Sequence, residues 1–210
     1  DLSSEVLKKL KSFVQNDSFK SVVITVPAMF NDNQKSATQK SAELAGFSQV
    51  ELLQEPIAAA MAYGLDEKVK DGQILIFDFG GGTFDVCLVN VEDGIMQVKD
   101  TEGDKWLGGK NLDNAIVDEI LISYLKENYS IDSFLEDENK KALLKDALKV
   151  KAEEIKINLS FSKSFDVISI LGEYPEDDEG EEIDLNFEVT HDQMVAVLGP
   201  VFQKAVDIAK

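Results

Sequence analysis

Arginine is missing from this chain of 210 residues: all 21 basic side chains are lysine. That excludes an arginine finger and any bidentate guanidinium clamp, so phosphate chemistry here would rest on lysine, main-chain amides and metal. Cysteine is nearly as scarce. The single Cys87 rules out an intrachain disulfide and permits a reducing compartment, from which a cytoplasmic setting is expected. It alternates with Val86 and Leu88 in a strand pattern, and reads as a buried small hydrophobe, not a nucleophile. The one histidine, His191, lies beside Thr190 and Gln193, a capping-box pattern at a helix start. A Ser-His-Asp or zinc site is therefore not expected. No apolar run is long enough to span a bilayer. Forty acids against 21 lysines leave a net charge of −19, which repels nucleic acid and anionic membrane; neither is an expected partner.

What is present is a globular composition, 44 % hydrophobic, with enough chain for two small domains or one large one. Leu2, Val6, Leu10 and Phe13 recur at helical spacing, and the polar "QNDS" at 15–18 is expected to end that helix. "SVVITVP" is a short strand, Asn31 and Asp32 can cap the helix that follows, and Gly46 terminates it. "VELL" is a strand, and "EPIAAAMAYG" a helix with Pro56 in its first turn and Gly64 at its end. The strand–helix alternation predicts α/β architecture. A polar link at 66–72 is the candidate domain boundary. Beyond it, "QILIFDF", "TFDVCLVNVED" and "IMQVKDT" read as three strands, with "EDG" at 92–94 as a hairpin turn. Leu112, Ile116, Ile120 and Tyr124 form one helical stripe, and Leu144, Leu148, Ile155 and Leu159 another. Strands "FDVISIL" and "IDLNFEV" flank an acidic run read as a solvated hairpin loop. A last helix starts at Thr190, interrupted or kinked by "GP" at 199–200.

The stretch "ILIFDFGGGTFDVC" at 74–87 carries the chemistry. Glycine weakens a strand interior, so three in a row at a strand end point to a close approach to the backbone. A hairpin needs only Asp-Gly or Asn-Gly, which Gly80, Gly81 and Gly82 exceed. On the glycines alone, a tight turn and a phosphate-binding concavity of amides are equal readings. Asp78 and Asp85 on either side tip the balance toward phosphate, since they could hold Mg2+ through its waters. GxxxxGK[ST] and GxGxxG are both absent, which removes support for the P-loop and dinucleotide folds. The letters "DFG" at 78–80 lack the other protein-kinase motifs and are a coincidence.

"VVITVPAMFNDNQKSAT", "LLQEPIAAAMAYGLD", "IFDFGGGTFDV" and "GDKWLGGKNLD" resemble, in that order and spacing, the ATPase domain of the Hsp70 chaperones. The resemblance is collinear over essentially the whole chain. It implies an actin/Hsp70/sugar-kinase-like α/β ATPase fold, here partial: part of lobe I plus most of lobe II. Residues 1–70 would be a lobe I segment, 71–107 with 190–210 the inner subdomain of lobe II, and 108–189 its outer subdomain. ATP or ADP and Mg2+ are the implied ligands. Glu55, Asp78 and Thr83 form the implied catalytic set, with Glu55 positioning water. Gly80, Gly81, Gly82 and Thr83 would hold the terminal phosphates. Asp78, Asp85 and Glu55 would face Mg2+ through water. Gly109 would lie beside the ribose, and Glu153, Lys156 and Ser160 on the adenosine side; steps of three and four place those three on one helix face, which without the resemblance reads as solvated. For Glu55 the plain alternative is a role at a helix start. Pro27 matches the position that passes the nucleotide state onward.

The resemblance further implies unfolded polypeptide clients bound through a domain outside this chain, and J-domain and nucleotide-exchange co-chaperones. The chain opens on Asp1 within a helical pattern, so it is expected to be part of a longer protein. A first phosphate loop and catalytic lysine would precede Asp1, and a second adenosine loop would follow Lys210; the piece alone is expected to hydrolyse ATP negligibly. Departures are plain. Gln54 stands for the usual Asn, Ile57 for Thr, and Lys35 for Arg. Ile157 takes the place of an adenine-stacking Arg in many members. Trp106, Leu107, Gly108, Gly109, Lys110 and Asn111 stand where the family commonly has His-Leu-Gly-Gly-Glu-Asp. A divergent relative acting as an exchange factor, an actin-like filament protein and a sugar kinase are the alternative readings.

Overall fold

The structure, a computed structural model, describes residues 2–14, 19–64, 69–170 and 172–210. The stretch 15–18 and part of the link at 66–72 lie outside the described residues. The chain divides into two compact units: Asp1–Asp78 with Asp85–Glu102, and Phe79–Phe84 with Gly103–Lys210.

The first unit opens with α1 (Leu2–Ser12), β1 (Ser21–Val26), α2 (Asp32–Leu44), β2 (Gln49–Gln54) and α3 (Glu55–Ala62). β1 and β2 run parallel, from Ser21 opposite Gln49 to Val26 opposite Gln54. Parallel neighbours need a crossover, and α2 supplies it. Its start is fixed by a capping box: Asn31 Oδ1 accepts from Gln34 N at 2.9 Å while Gln34 Oε1 accepts from Asn31 N at 3.0 Å, worth about 1 kcal/mol. Its end is the left-handed Gly46, φ +87°. Ala42, Ala45 and Phe47 form the core here, with Leu7, Val22, Ile24 and Val50 packed on it. On α1 it is thus Leu7 that faces the core, while Leu2, Val6, Leu10 and Phe13 are exposed. Lys11 fastens this helix to the end of α2, donating to Gly46 O at 2.9 Å with its ammonium 4.5 Å from the Phe47 ring centre.

β3 (Gly72–Phe79), β4 (Phe84–Glu92) and β5 (Ile95–Asp104) form a sheet in that order. β4 and β5 are joined at Asp93 and Gly94, both with positive φ, 52° and 78°, as a two-residue hairpin turn demands. Its amides are held by the chain before β3: Asp93 N donates to Asp71 Oδ1 at 3.1 Å and Gly94 N to Lys70 O at 3.0 Å. β4 is central and buries Phe84, Val86, Cys87, Val89 and Val91, so it reads as a near-continuous apolar run. Cys87 is buried as expected, its Sγ 3.2 Å from Thr101 Oγ1, and burial pushes its thiol pKa up.

The second unit contains α4 (Gly109–Ile116), a π-helical turn (Val117–Leu121), α5 (Ile122–Asn128), α6 (Asp132–Glu136), α7 (Glu138–Leu159), the antiparallel pair β6 (Ser164–Ile168) and β7 (Asn186–Thr190), and α8 (His191–Ile208). Buried positions step by four from Leu112 to Ile116, by five to Leu121, then by four to Leu125, with Val117 and Ile122 buried beside them. The five-residue step is the π turn, and it leaves Ile120 and Tyr124, expected on the buried stripe, at the margin of the core. On α7 the expected stripe of Leu144, Leu148, Ile155 and Leu159 is buried. α8 starts with the predicted capping box between Thr190 and Gln193. It runs on through Pro200 without interruption, because the proline lies on the exposed side, where water can satisfy the carbonyl it leaves free.

The acidic run is largely exposed, as expected, and is closed by an antiparallel bridge between Glu176 and Glu182, but it is anchored at three points. Tyr174, Ile183 and Leu185 enter the core, and Asp177 accepts amides from Glu181, Ser130 and Glu179, each at 2.9 Å. Those bonds hold its carboxyl below the usual aspartate range. Among the described residues no helix is long and apolar enough to cross a membrane.

Candidate functional site: a glycine loop and a carboxylate trio

In the second unit, residues 80–83 close on themselves through Gly80 N, which donates to Thr83 O at 2.9 Å. The start of α4 then seats on this loop. Gly109 N donates to Gly80 O and Lys110 N to Gly81 O, both at 2.9 Å, and Gly108 N donates to Asn111 Oδ1 at 2.9 Å. The approach is so close that a Cβ on Gly108 would stand 2.7 Å from both Gly80 O and Gly82 N. No side chain fits there, and the contacts are backbone, which cannot swing aside.

This seating decides what the loop can bind. Its carbonyls at 80, 81 and 83 are occupied as acceptors. The amides of Gly81, Gly82 and Thr83 donate to nothing among the described residues. A Cβ on Gly81 would meet nothing within 4 Å, so that side of the loop is open. A bend with three of its four carbonyls spent and three donors available suits an anion.

From α4 the site continues to α7. Asp113, one turn after Gly109, forms a largely buried ion pair with Lys156 Nζ at 2.5 Å. Ser160 caps α7 and returns its hydroxyl to Lys156 O at 2.8 Å. Glu153, Ile157 and Ser160 share the exposed flank of that helix. Gly109, Glu153, Lys156 and Ser160 thus belong to one connected framework with the glycine loop. The residues missed by sequence reasoning are Gly108, whose signal was the glycine doublet before a helix, and Asp113, which a one-turn step from Gly109 would have found.

The first unit holds the acids. Glu55 opens α3 directly after β2, with Pro56 behind it in the first turn. Its carboxyl pKa is raised, by burial first and then by the negative charges of Asp85 and Asp78. A residue serving only the helix dipole would have its pKa lowered; this one is held among like charges, an arrangement that a cation relieves. Asp78 is the penultimate residue of β3, next to the loop in sequence, and Asp85 follows Thr83 by two residues. Gln54, in place of the usual Asn, reaches Ala28 O at 3.4 Å, just past Pro27.

Among the described residues no three His, Cys, Asp or Glu side chains converge closely enough to ligate a metal directly. The trio suits hydrated magnesium, an ion that keeps several waters and accepts outer carboxylates through them.

A family model described as Hsp70 protein matches residues 1–210. The chain is 39 % identical over 165 residues to the iron-sulfur cluster biogenesis chaperone, mitochondrial, of Saccharomyces cerevisiae, covering 77 % of this chain and 25 % of that protein. It is 41 % identical over 170 residues to the chaperone protein DnaK of Thermosipho africanus, covering 80 % of this chain and 27 % of that one. The chain spans about a quarter of the length of these curated relatives.

Proposed function

Because this chain belongs to the Hsp70 family and is part of an actin/Hsp70-type α/β ATPase fold, we propose that it grips Mg-ATP in a protein that couples ATP hydrolysis to binding and releasing unfolded polypeptide. The amides of Gly81, Gly82 and Thr83 take the terminal phosphates, and the Thr83 hydroxyl adds a further donor. Glu55, with its raised proton affinity, orients the attacking water and accepts its proton, while Asp78 and Asp85 receive hydrogen bonds from water around the metal. Magnesium, when bound, supplies neutralisation of the polyphosphate charge. Gly109 leaves room for the ribose, and the α7 flank of Glu153, Lys156 and Ser160 holds the adenosine, with exposed Ile157 offering an apolar surface for the base.

We read 1–70 as a lobe I segment, 71–107 with 190–210 as the inner part of lobe II, and 108–189 as its outer part. Unfolded clients, J-domain proteins and nucleotide-exchange factors are the partners of the whole protein, and a cytoplasmic setting fits the single buried Cys87.

The observation that carries this reading is the glycine loop, with the carbonyls of Gly80, Gly81 and Thr83 spent and three amides available among the described residues. Titration of the whole protein carrying this chain with Mg-ADP tests it. Wild type binds, and Gly108→Ala, which forces the loop off α4, weakens binding by at least about tenfold while far-ultraviolet circular dichroism is unchanged. Undiminished binding by Gly108→Ala, or no binding by wild type, overturns it.

A further inference from the structure

Lys110 lies against the glycine loop yet has no role in the reading above. Its amide donates to Gly81 O at 2.9 Å, and its Cδ lies 3.9 Å from where a Cβ on Gly82 would stand. The aliphatic stem therefore runs along the loop, and the ammonium is two bonds further on. The side chain is exposed. In a chain with nearly twice as many acids as bases, none of the ion pairs among the described residues includes Lys110. It also stands in the first turn of α4, whose dipole disfavours a cation. Both neighbourhoods leave its charge uncompensated, and only the Gly82 contact explains where the stem lies. The family motif commonly carries an acid at this place, so the charge here is reversed.

We propose that Lys110 is a phosphate-facing cation that strengthens the loop's hold on the terminal phosphates of the nucleotide. This rests on the nucleotide reading above. Three neutral amides can orient phosphate oxygens, but they add no charge against a polyphosphate, and with no arginine in the chain a lysine beside the loop is the counter-charge these residues can add to that of the magnesium. Lys110 acts on binding and positioning and exchanges no proton.

The test is equilibrium titration of the whole protein with magnesium and a hydrolysis-resistant ATP analogue, and separately with adenosine, at low and high salt. For the analogue, Lys110→Ala weakens binding about tenfold, Lys110→Glu more, and Lys110→Arg keeps near wild-type affinity. Adenosine binding stays within about twofold in every variant, and the salt dependence of analogue binding is shallower in Lys110→Ala. If wild type binds the analogue and both Lys110→Ala and Lys110→Glu match it, the role of Lys110 is refuted while the nucleotide reading stands. Equal losses for analogue and adenosine would mean a structural role and also refute it. If wild type binds neither ligand, the nucleotide reading fails and this inference with it.

Discussion

Glu55, in its proposed role, shows how a single carboxyl can be held at a cost to the fold. Its pKa in the folded chain lies above the ordinary glutamate value because burial and two neighbouring carboxylates disfavour its charge. A raised acid pKa means that the folded state is penalised once the group ionises. The penalty is absent below the ordinary value, grows as pH rises through the folded value, and is complete above it. Glu55→Gln should therefore raise the thermal midpoint of the nucleotide-free protein at pH 7, with the gain vanishing below about pH 4. The same change should lower steady-state ATP hydrolysis by the whole protein at least about a hundredfold. Scanning calorimetry across pH and a phosphate-release assay read the two effects. A midpoint no higher than wild type at pH 7 would show that the trio does not strain the fold. The place of Glu55 at a helix start was legible from the strand–Glu-Pro–helix order, whereas the raised pKa was not. It depends on Asp78 and Asp85, more than 20 positions away in sequence and brought into range by folding.

At the scale of elements, the strands and most helix limits followed from local patterns, because caps, glycine stops and alternation act over a few residues. The Asn31 and Thr190 capping boxes and the Asp93–Gly94 turn stand where these patterns place them. Two elements escaped. The π turn between α4 and α5 shifts the buried face by one residue, and nothing in the letters "VDEIL" marks it; packing against α7 selects it, with Lys145 on that helix paired to Asp118 at 2.6 Å. Leu121→Ala should thus cost about 2–5 kcal/mol in chemical denaturation, and Ile120→Ala about 1 kcal/mol or less. Similar costs at the two positions would contradict the five-residue step. The anchoring of the acidic run escaped for a related reason. Most of its acids are solvated, as charge runs normally are, but Asp177 replaces water with three main-chain amides, and the apolar Tyr174, Ile183 and Leu185 beside it enter the core.

For the molecule as a whole, the charge of −19 acts on stability through self-repulsion. Self-repulsion in the compact state is screened by salt. The thermal midpoint of the nucleotide-free protein should therefore climb by several degrees between about 20 mM and 500 mM NaCl, read by circular dichroism; a fall would show that the local ion pairs outweigh the repulsion. Nucleotide affinity should move the other way if Lys110 faces the phosphates as proposed, because salt screens that attraction.

The sequence by itself determined the family, the order of strands and helices, and the residue types at the glycine loop, because short motifs and periodic burial are written in neighbouring positions. Only the tertiary structure decided that Gly108 sits too close to the loop for any side chain, that Asp113 holds Lys156, and that the carbonyls of Gly80, Gly81 and Thr83 are spent while three loop amides find no acceptor among the described residues. Those facts depend on which backbone groups meet after distant segments pack, and hydrogen-bond partners chosen in that way leave no local trace in the chain.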